Sequence, residues 1–269
     1  MIDITLDLET TSLAPTAGVL SIAAVPWKRN GGTTPFFEDK ELSEPEFSAH
    51  VDLRSMFVNG FSFDQQTAKW WDQQADAAKA AVLADDDEAR PCAPIDVVVQ
   101  GLFDWIDRTM KELNETQVCV WAQGSDFDPA ILRNICYKFG IKFPINHCNL
   151  RDHRTFFLES ASFIWSYISD NDLPTCEAYK MVQDYKEVAE DEGQTQHCPL
   201  FDCKRSIYST WQMFDILGDF VGSYDKAEFV SNLAKRSGIQ VSSPLKEWLG
   251  DSQDAQSSQE KKDIAHIDN

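Results

Sequence analysis

The chain contains no run approaching the ~18 consecutive apolar residues that a membrane helix requires. It has no basic opening stretch leading into an apolar segment, no C-x-x-C pair and no internal repeat. The first two absences lead us to expect a soluble, cytoplasmic protein with no membrane partner. The third argues against a structural zinc site. The seven cysteines are odd in number and scattered, which argues against a disulfide framework and for a reducing compartment. Basic residues are scarce: 24 Lys and Arg face 44 Asp and Glu, leaving a formal charge of −20. Such a chain is unsuited to coating nucleic acid non-specifically, because phosphate contacts dominate that binding. An enzyme that grips only a few nucleotides is still compatible with it, since divalent ions offset a carboxylate-built site. Part of the excess lies in acidic runs at 85–88 and 187–192.

What is present suffices for a core: 43 % of residues are hydrophobic and eight are tryptophan. Ile2, Ile4, Leu6 and Leu8 alternate with polar residues and predict a strand. Pro15 and Gly18 break the chain before a second strand over Val19–Trp27, and a third is expected at Ala49–Leu53. Helical patterning then places Trp70 and Trp71 in one helix, at least one of them in the core, and 75–83 in the next. Residues 85–94 read as a polar linker. A long amphipathic helix carries Val98, Leu102, Trp105 and Ile106. Val118–Ala122 reads as a short buried strand, Asp128–Phe139 as a helix, and Asn149–Arg151 as the end of a further strand before a helix that follows Asp152. Residues 193–201 read as a loop, followed by a helix burying Ile207, Trp211, Phe214, Leu217 and Val221, then a smaller helix at 225–236. Strands followed by alternating helices and strands predict an α/β protein with a mixed sheet flanked by helices, in a single domain. We divide the chain into that domain at 1–222, a helical extension at 223–250 and a disordered polar tail at 251–269.

Three carboxylate clusters carry the chemistry. In Asp7-Leu8-Glu9-Thr10-Thr11 the two acids are two residues apart on a strand, so both side chains project from one face. Like charges that close repel unless a cation lies between them, which suits Mg²⁺ or Mn²⁺ with their preference for oxygen. A solvated strand end would account for the pair equally well. Asp128-Pro129 follows a buried strand at the start of a helix, where α/β sheets place functional groups. The same dipeptide suits a helix start, with Asp as N-cap and Pro at the first position. Asp126 is the rival ligand. The third cluster is His197-Cys198-Pro199-Leu200-Phe201-Asp202, just before and within the first turn of a helix, where an Asp also complements the helix dipole.

Taken in order, D-x-E-T at Asp7–Thr10, an Asp at a strand-to-helix junction at Asp128, and H-x-x-x-x-D at His197 and Asp202 resemble the DEDD superfamily of 3′→5′ exonucleases, histidine subclass, which includes polymerase proofreading subunits and RNase T. Thr67-Ala68-Lys69-Trp70-Trp71-Asp72-Gln73-Gln74 and Arg151-Asp152-His153-Arg154-Thr155 are similar to segments of a phage-type branch. Gly124 stands where the commoner second motif has Asn. The resemblance implies a ribonuclease H-like fold over residues 1–222. It also implies two divalent ions, Mg²⁺ or Mn²⁺, held by Asp7, Glu9, Asp128 and Asp202, with His197 as general base. The partner would be nucleic acid with a free 3′ end, DNA or RNA, cut to nucleoside 5′-monophosphates. Thr10, Thr11, Arg151, Arg154 and Trp71 are the candidate substrate contacts. The alternatives are a catalytically silent nucleic-acid-binding module of the same fold and, from the charge alone, an acidic mimic of nucleic acid.

Overall fold

The computed structural model describes residues 1–38, 40–83, 92–168 and 197–222, without side chains for 165–168 and 220. The expectations for 225–236, for the extension at 223–250 and for the tail at 251–269 lie outside these residues. Of the described chain, 1–159 and 197–214 belong to one compact unit, while 160–168 and 215–222 belong to a second.

The first unit is built on a six-stranded mixed sheet in the order β4-β3-β2-β1-β5-β6. Its strands are β1 (Ile2–Thr10), β2 (Val19–Trp27), β3 (Phe47–Val51), β4 (Cys92–Ala93), β5 (Val118–Ala122) and β6 (Leu150–Asp152). Strand β1 is central, antiparallel to β2 and parallel to β5. The helices are α1 (Leu53–Val58), α2 (Gln65–Asp72), α3 (Asp76–Val82), α4 (Ile95–Glu112), α5 (Asp128–Phe139), α6 (His153–Ile168) and α7 (Pro199–Gly222). One turn of 3₁₀ helix spans His147–Asn149. The mixed, helix-flanked α/β sheet is the architecture expected from the sequence.

The two faces of β1 differ in chemistry. Ile2, Ile4, Leu6 and Leu8 pack into the main core with Val98, Val99, Leu102 and Ile106 of α4 and Ile131, Leu132 and Ile135 of α5. The opposite row is Asp3, Thr5, Asp7 and Glu9. It shares its face with Ala23, Val25 and Trp27 of β2 and with Cys119 and Trp121 of β5, against Cys203, Ile207 and Phe214 of α7 and Phe156 of α6. A strand with polar residues on a buried face is poorly suited to stability alone, because each such group must find a partner.

Five local expectations are corrected. Val221, expected on the buried stripe of the last helix, is exposed. The third strand ends at Val51, since Asp52 caps α1 by accepting the Arg54 N–H at 2.9 Å. The described end of the expected linker holds strand β4, whose two residues pair in parallel with His50 and Val51. The helix bearing Asp202 begins at Pro199, within the expected loop, because proline lacks the N–H that a first helical position leaves unused. Neither Trp70 nor Trp71 is a core residue, since α2 buries none of its side chains.

Candidate active site

The end of β1 outruns its neighbour. Pairing with β5 extends from Ile2 to Thr5 on β1 and stops there, so the Leu8 N–H has no strand partner on that side. The carboxylate of Asp128 takes it, with Oδ1 accepting at 3.1 Å. Asp128 therefore does not cap its own helix. Phe127 occupies that position, and Asp128 is a buried first-turn residue followed by Pro129. Asp126 is exposed. The bend leading to Asp128 passes through Gly124 at φ +135°, a backbone conformation that side chains other than glycine rarely tolerate. Glycine at this point thus has a local steric reason.

Asp202 is brought in by α7. Cys203, a small buried side chain, lies with its Sγ 3.7 Å from the carbonyl oxygens of Thr5 and Ala23, so the helix comes close to β1 and β2. The preceding residue then meets Asp7 and Glu9. Asp202 Oδ2 accepts the His197 N–H at 2.9 Å, and Arg205 Nη2 lies 2.9 Å from Oδ1. His197 holds a left-handed backbone conformation at φ +67°, the kind of strain that concentrates at functional sites. Ligand atoms of Glu9, His197 and Asp202 all lie within 4.8 Å of one another.

These carboxylates are poorly compensated. Among the described residues no side-chain hydrogen bond or ion pair reaches the carboxylate of Asp7 or Glu9. Burial holds Asp7 well above the usual carboxylate range, and the charges of Asp128, Glu9 and Asp202 push it the same way, against Arg205. Burial together with Asp202 and Asp128 raises Glu9 to about 8. Asp128 is raised to about 7 by burial, opposed by the Leu8 N–H and by Arg154. Asp202 is raised by burial, opposed by Arg205 and the His197 N–H. Such a cluster either keeps its protons or accepts cations, and an all-oxygen set with one imidazole fits Mg²⁺ or Mn²⁺.

The remaining sequence candidates separate. Thr10 Oγ1 donates to the Ser12 carbonyl at 2.9 Å, and Thr11 Oγ1 to the carbonyls of Ser62 and Gly18 at 2.8 and 3.2 Å, so both hydroxyls pin the β1–β2 loop. Arg151 Nη1 donates to the carbonyls of Cys148 and Leu150, which anchors the 3₁₀ turn. Arg154 is exposed and acts electrostatically on Asp128. Trp71 Nε1 donates to the Thr10 carbonyl at 3.1 Å, while Trp70 sits edge-to-face with His197 at 4.7 Å. The contacts of Trp70 with His197 and of Arg205 with Asp202 differ from the base-stacking and phosphate-contact roles that the sequence suggests for these two residues. The adjacent pair on one helix was a signal for Trp70, and the i, i+3 spacing from Asp202 was one for Arg205.

A buried imidazole lies beneath the cluster. His153 Nε2 meets Thr5 Oγ1 at 2.8 Å and Nδ1 meets Thr210 Oγ1 at 2.6 Å, joining β1 to α7 through α6. Burial lowers its pKa to about 3, so it is neutral.

Residues 2–210 match the family model of the 3′-5′ exoribonuclease Rv2179c-like domain. The chain belongs to this family. It is accordingly a 3′-5′ exonuclease by family, with nucleic acid as its substrate class. No curated protein sequence matches the chain. Among the described residues no helix is long and apolar enough to cross a membrane.

Proposed function

We propose that the protein is a divalent-metal-dependent 3′→5′ exonuclease of the DEDD histidine subclass, phage-type branch, that removes nucleoside 5′-monophosphates from RNA and from DNA. The observation that carries this reading is the gathering of Asp7, Glu9, Asp128 and Asp202, buried and raised in pKa, around one strand end with His197 beside them. A silent binding module would have no use for so costly an arrangement. The family's description as exoribonuclease favours RNA as the main substrate.

Asp7, Glu9, Asp128 and Asp202 would hold two ions, Mg²⁺ or Mn²⁺. When bound, these ions would supply Lewis acidity to the scissile phosphate and lower the pKa of water. His197 takes the proton from the attacking water as its oxygen bonds to phosphorus. The bond from phosphorus to the 3′ oxygen breaks, and that oxygen leaves on the shortened strand. The His197 N–H bond to Asp202 sets the imidazole beside the carboxylates. Trp70 restricts the ring from one side, and Trp71 fixes the helix that carries Trp70 to the end of β1. Arg154, exposed near Asp128, is the better placed of the two candidate phosphate contacts, since the Arg151 guanidinium is occupied by carbonyl oxygens. Thr10 and Thr11 present the loop backbone to the terminal nucleotide.

The test uses 5′-labelled single-stranded RNA and DNA of one sequence, incubated with Mn²⁺, Mg²⁺ or EDTA. Stepwise shortening from the 3′ end is expected with either ion and not with EDTA, faster on RNA. Intact strands under every condition, from a protein that still melts cooperatively, would return the chain to the silent-module reading.

A further inference from the structure

Building on the exonuclease reading, we propose that an exposed aromatic ridge of Phe57, Phe63 and Trp70 carries stacked bases of single-stranded substrate and supplies much of its affinity. Three observations lead there. Phe57 is 75 % exposed, Phe63 45 % and Trp70 40 %. A lone exposed aromatic is ordinary, but Phe57 and Phe63 pack edge-to-face on each other at 5.9 Å while both remain open to solvent.

The ridge is also continuous with the carboxylate cluster. The tip of the Phe63 ring lies 3.3 Å from where a Cβ on Gly18 would stand, and the same Cβ would meet Thr11 Oγ1 at 2.6 Å. Only glycine lets the ring settle on the loop there. Thr11 N–H donates to the Gly18 carbonyl at 2.9 Å, and the next residue back, Thr10, accepts from Trp71. Trp70 then leads to His197. Phe63 and the Trp71 indole thus both contact the segment that begins just beyond Glu9, and Trp70 packs on Trp71.

Charge supplies the third observation. With a net charge of −20 the chain repels a polyanion at long range. Several of its cations are already committed to carboxylates: Lys28 to Glu41, Arg29 to Asp3, Arg108 to Glu44, Lys204 to Glu46 and Arg205 to Asp202. Base stacking, which is indifferent to sequence and to net charge, supplies a grip that does not depend on these committed cations. Each stacked base contributes roughly a tenfold gain in affinity.

The test is the double variant Phe57→Ala/Phe63→Ala of the full chain, with Phe57→Trp/Phe63→Trp as the aromatic-preserving control. Neither site is buried, so cooperative melting is expected to persist in both. Affinity for a fluorescein-labelled octanucleotide is read by anisotropy in Ca²⁺, and kcat and KM are read in Mn²⁺. We expect the alanine variant to raise Kd and KM about tenfold or more with kcat within about twofold, and the tryptophan variant to restore both. Wild-type Kd should change little between 50 and 300 mM salt. Unchanged Kd and KM in the alanine variant would overturn the proposal. So would sedimentation showing that the wild type self-associates, that the alanine variant does not, and that Kd is unaffected; the ridge would then belong to a second copy of the chain. Binding lost in the alanine variant while wild-type protein cuts no strand would sustain the ridge and sink the exonuclease reading, so the two fail separately.

Discussion

Asp3 and Asp7 stand four residues apart on the same face of β1, yet their surroundings are opposite. Arg29 grips Asp3 with two donors at 2.7 and 2.8 Å, and the indole of Trp121 adds a third at 2.7 Å. The guanidinium in turn lies over the rings of Trp121 and Phe214. Asp7 meets Glu9, Asp128 and Asp202 instead, and its one cationic influence, Arg205, is bound to Asp202. A buried carboxylate with a complete set of donors holds the fold together, whereas one surrounded by its own kind waits for a ligand.

The contrast is broken most sharply by exchanging the two residues' fates. On the proposed two-ion site, Asp7→Asn is expected to lose about 10³-fold or more in hydrolysis, since a group holding a catalytic ion contributes several kcal/mol to the transition state. The same change should raise the melting temperature of metal-free protein at neutral pH, because the buried Asp7 carboxyl must otherwise take up a proton on folding. Asp3→Asn should do the reverse, losing about 3–5 kcal/mol of stability by leaving a partly buried Arg29 without its partner. Its activity per folded molecule should stay near wild type in assays run well below the melting point. If Asp3→Asn were the inactive variant and Asp7→Asn the unstable one, the division of labour along β1 would be wrong. A milder probe is Trp121→Phe, which deletes one donor to Asp3 and should cost about 1.5–3 kcal/mol in denaturant unfolding.

The smallest effect is one of pH. Glu9 at about 8 and Asp128 at about 7 lie above their unfolded values of 4.5 and 3.8, so the metal-free fold binds more protons than the unfolded chain in between. Stability from this source is greatest at low pH and is lost as pH rises through 7 and 8. Neutral His153, at about 3 against 6.5, acts oppositely, but only below pH 6.5. Between pH 6.5 and 8, metal-free melting temperature should therefore fall by no more than about 1.4 kcal/mol equivalent per pH unit for each proton released. Added Mn²⁺ should remove the slope; a flat metal-free profile would mean that the carboxylates are already compensated.

Much of this arrangement was legible in the residues. Period-two alternation places β1, and the spacing of Asp7 and Glu9 alone puts both on one face. Val118–Ala122 and Asp128–Phe139 coincide with β5 and α5, because a buried apolar run and a 3.6-residue stripe leave few alternatives. Strand β4 was not legible, being two residues long and defined only by its pairing with β3. Nor was the burial of Asp128 rather than Asp126, since it depends on an N–H that Leu8 exposes only because β5 stops short. Composition marked the carboxylates as acidic but could not say that Asp3 was compensated and Asp7 was not, because Arg29 reaches Asp3 across a hairpin. Trp70 against His197 likewise required the tertiary fold.

The central position of β1 also bears on when the protein becomes active during its own synthesis. The strand that carries Asp7 and Glu9 is made early, yet the bond from Leu8 to Asp128 spans 120 residues and the contact from Thr5 to Cys203 spans 198. A ribosome translating this chain thus exposes the first two carboxylates long before the last one exists. On the proposed site assignment, hydrolysis of the message being read would wait until α7 has emerged and packed against β1 and β2.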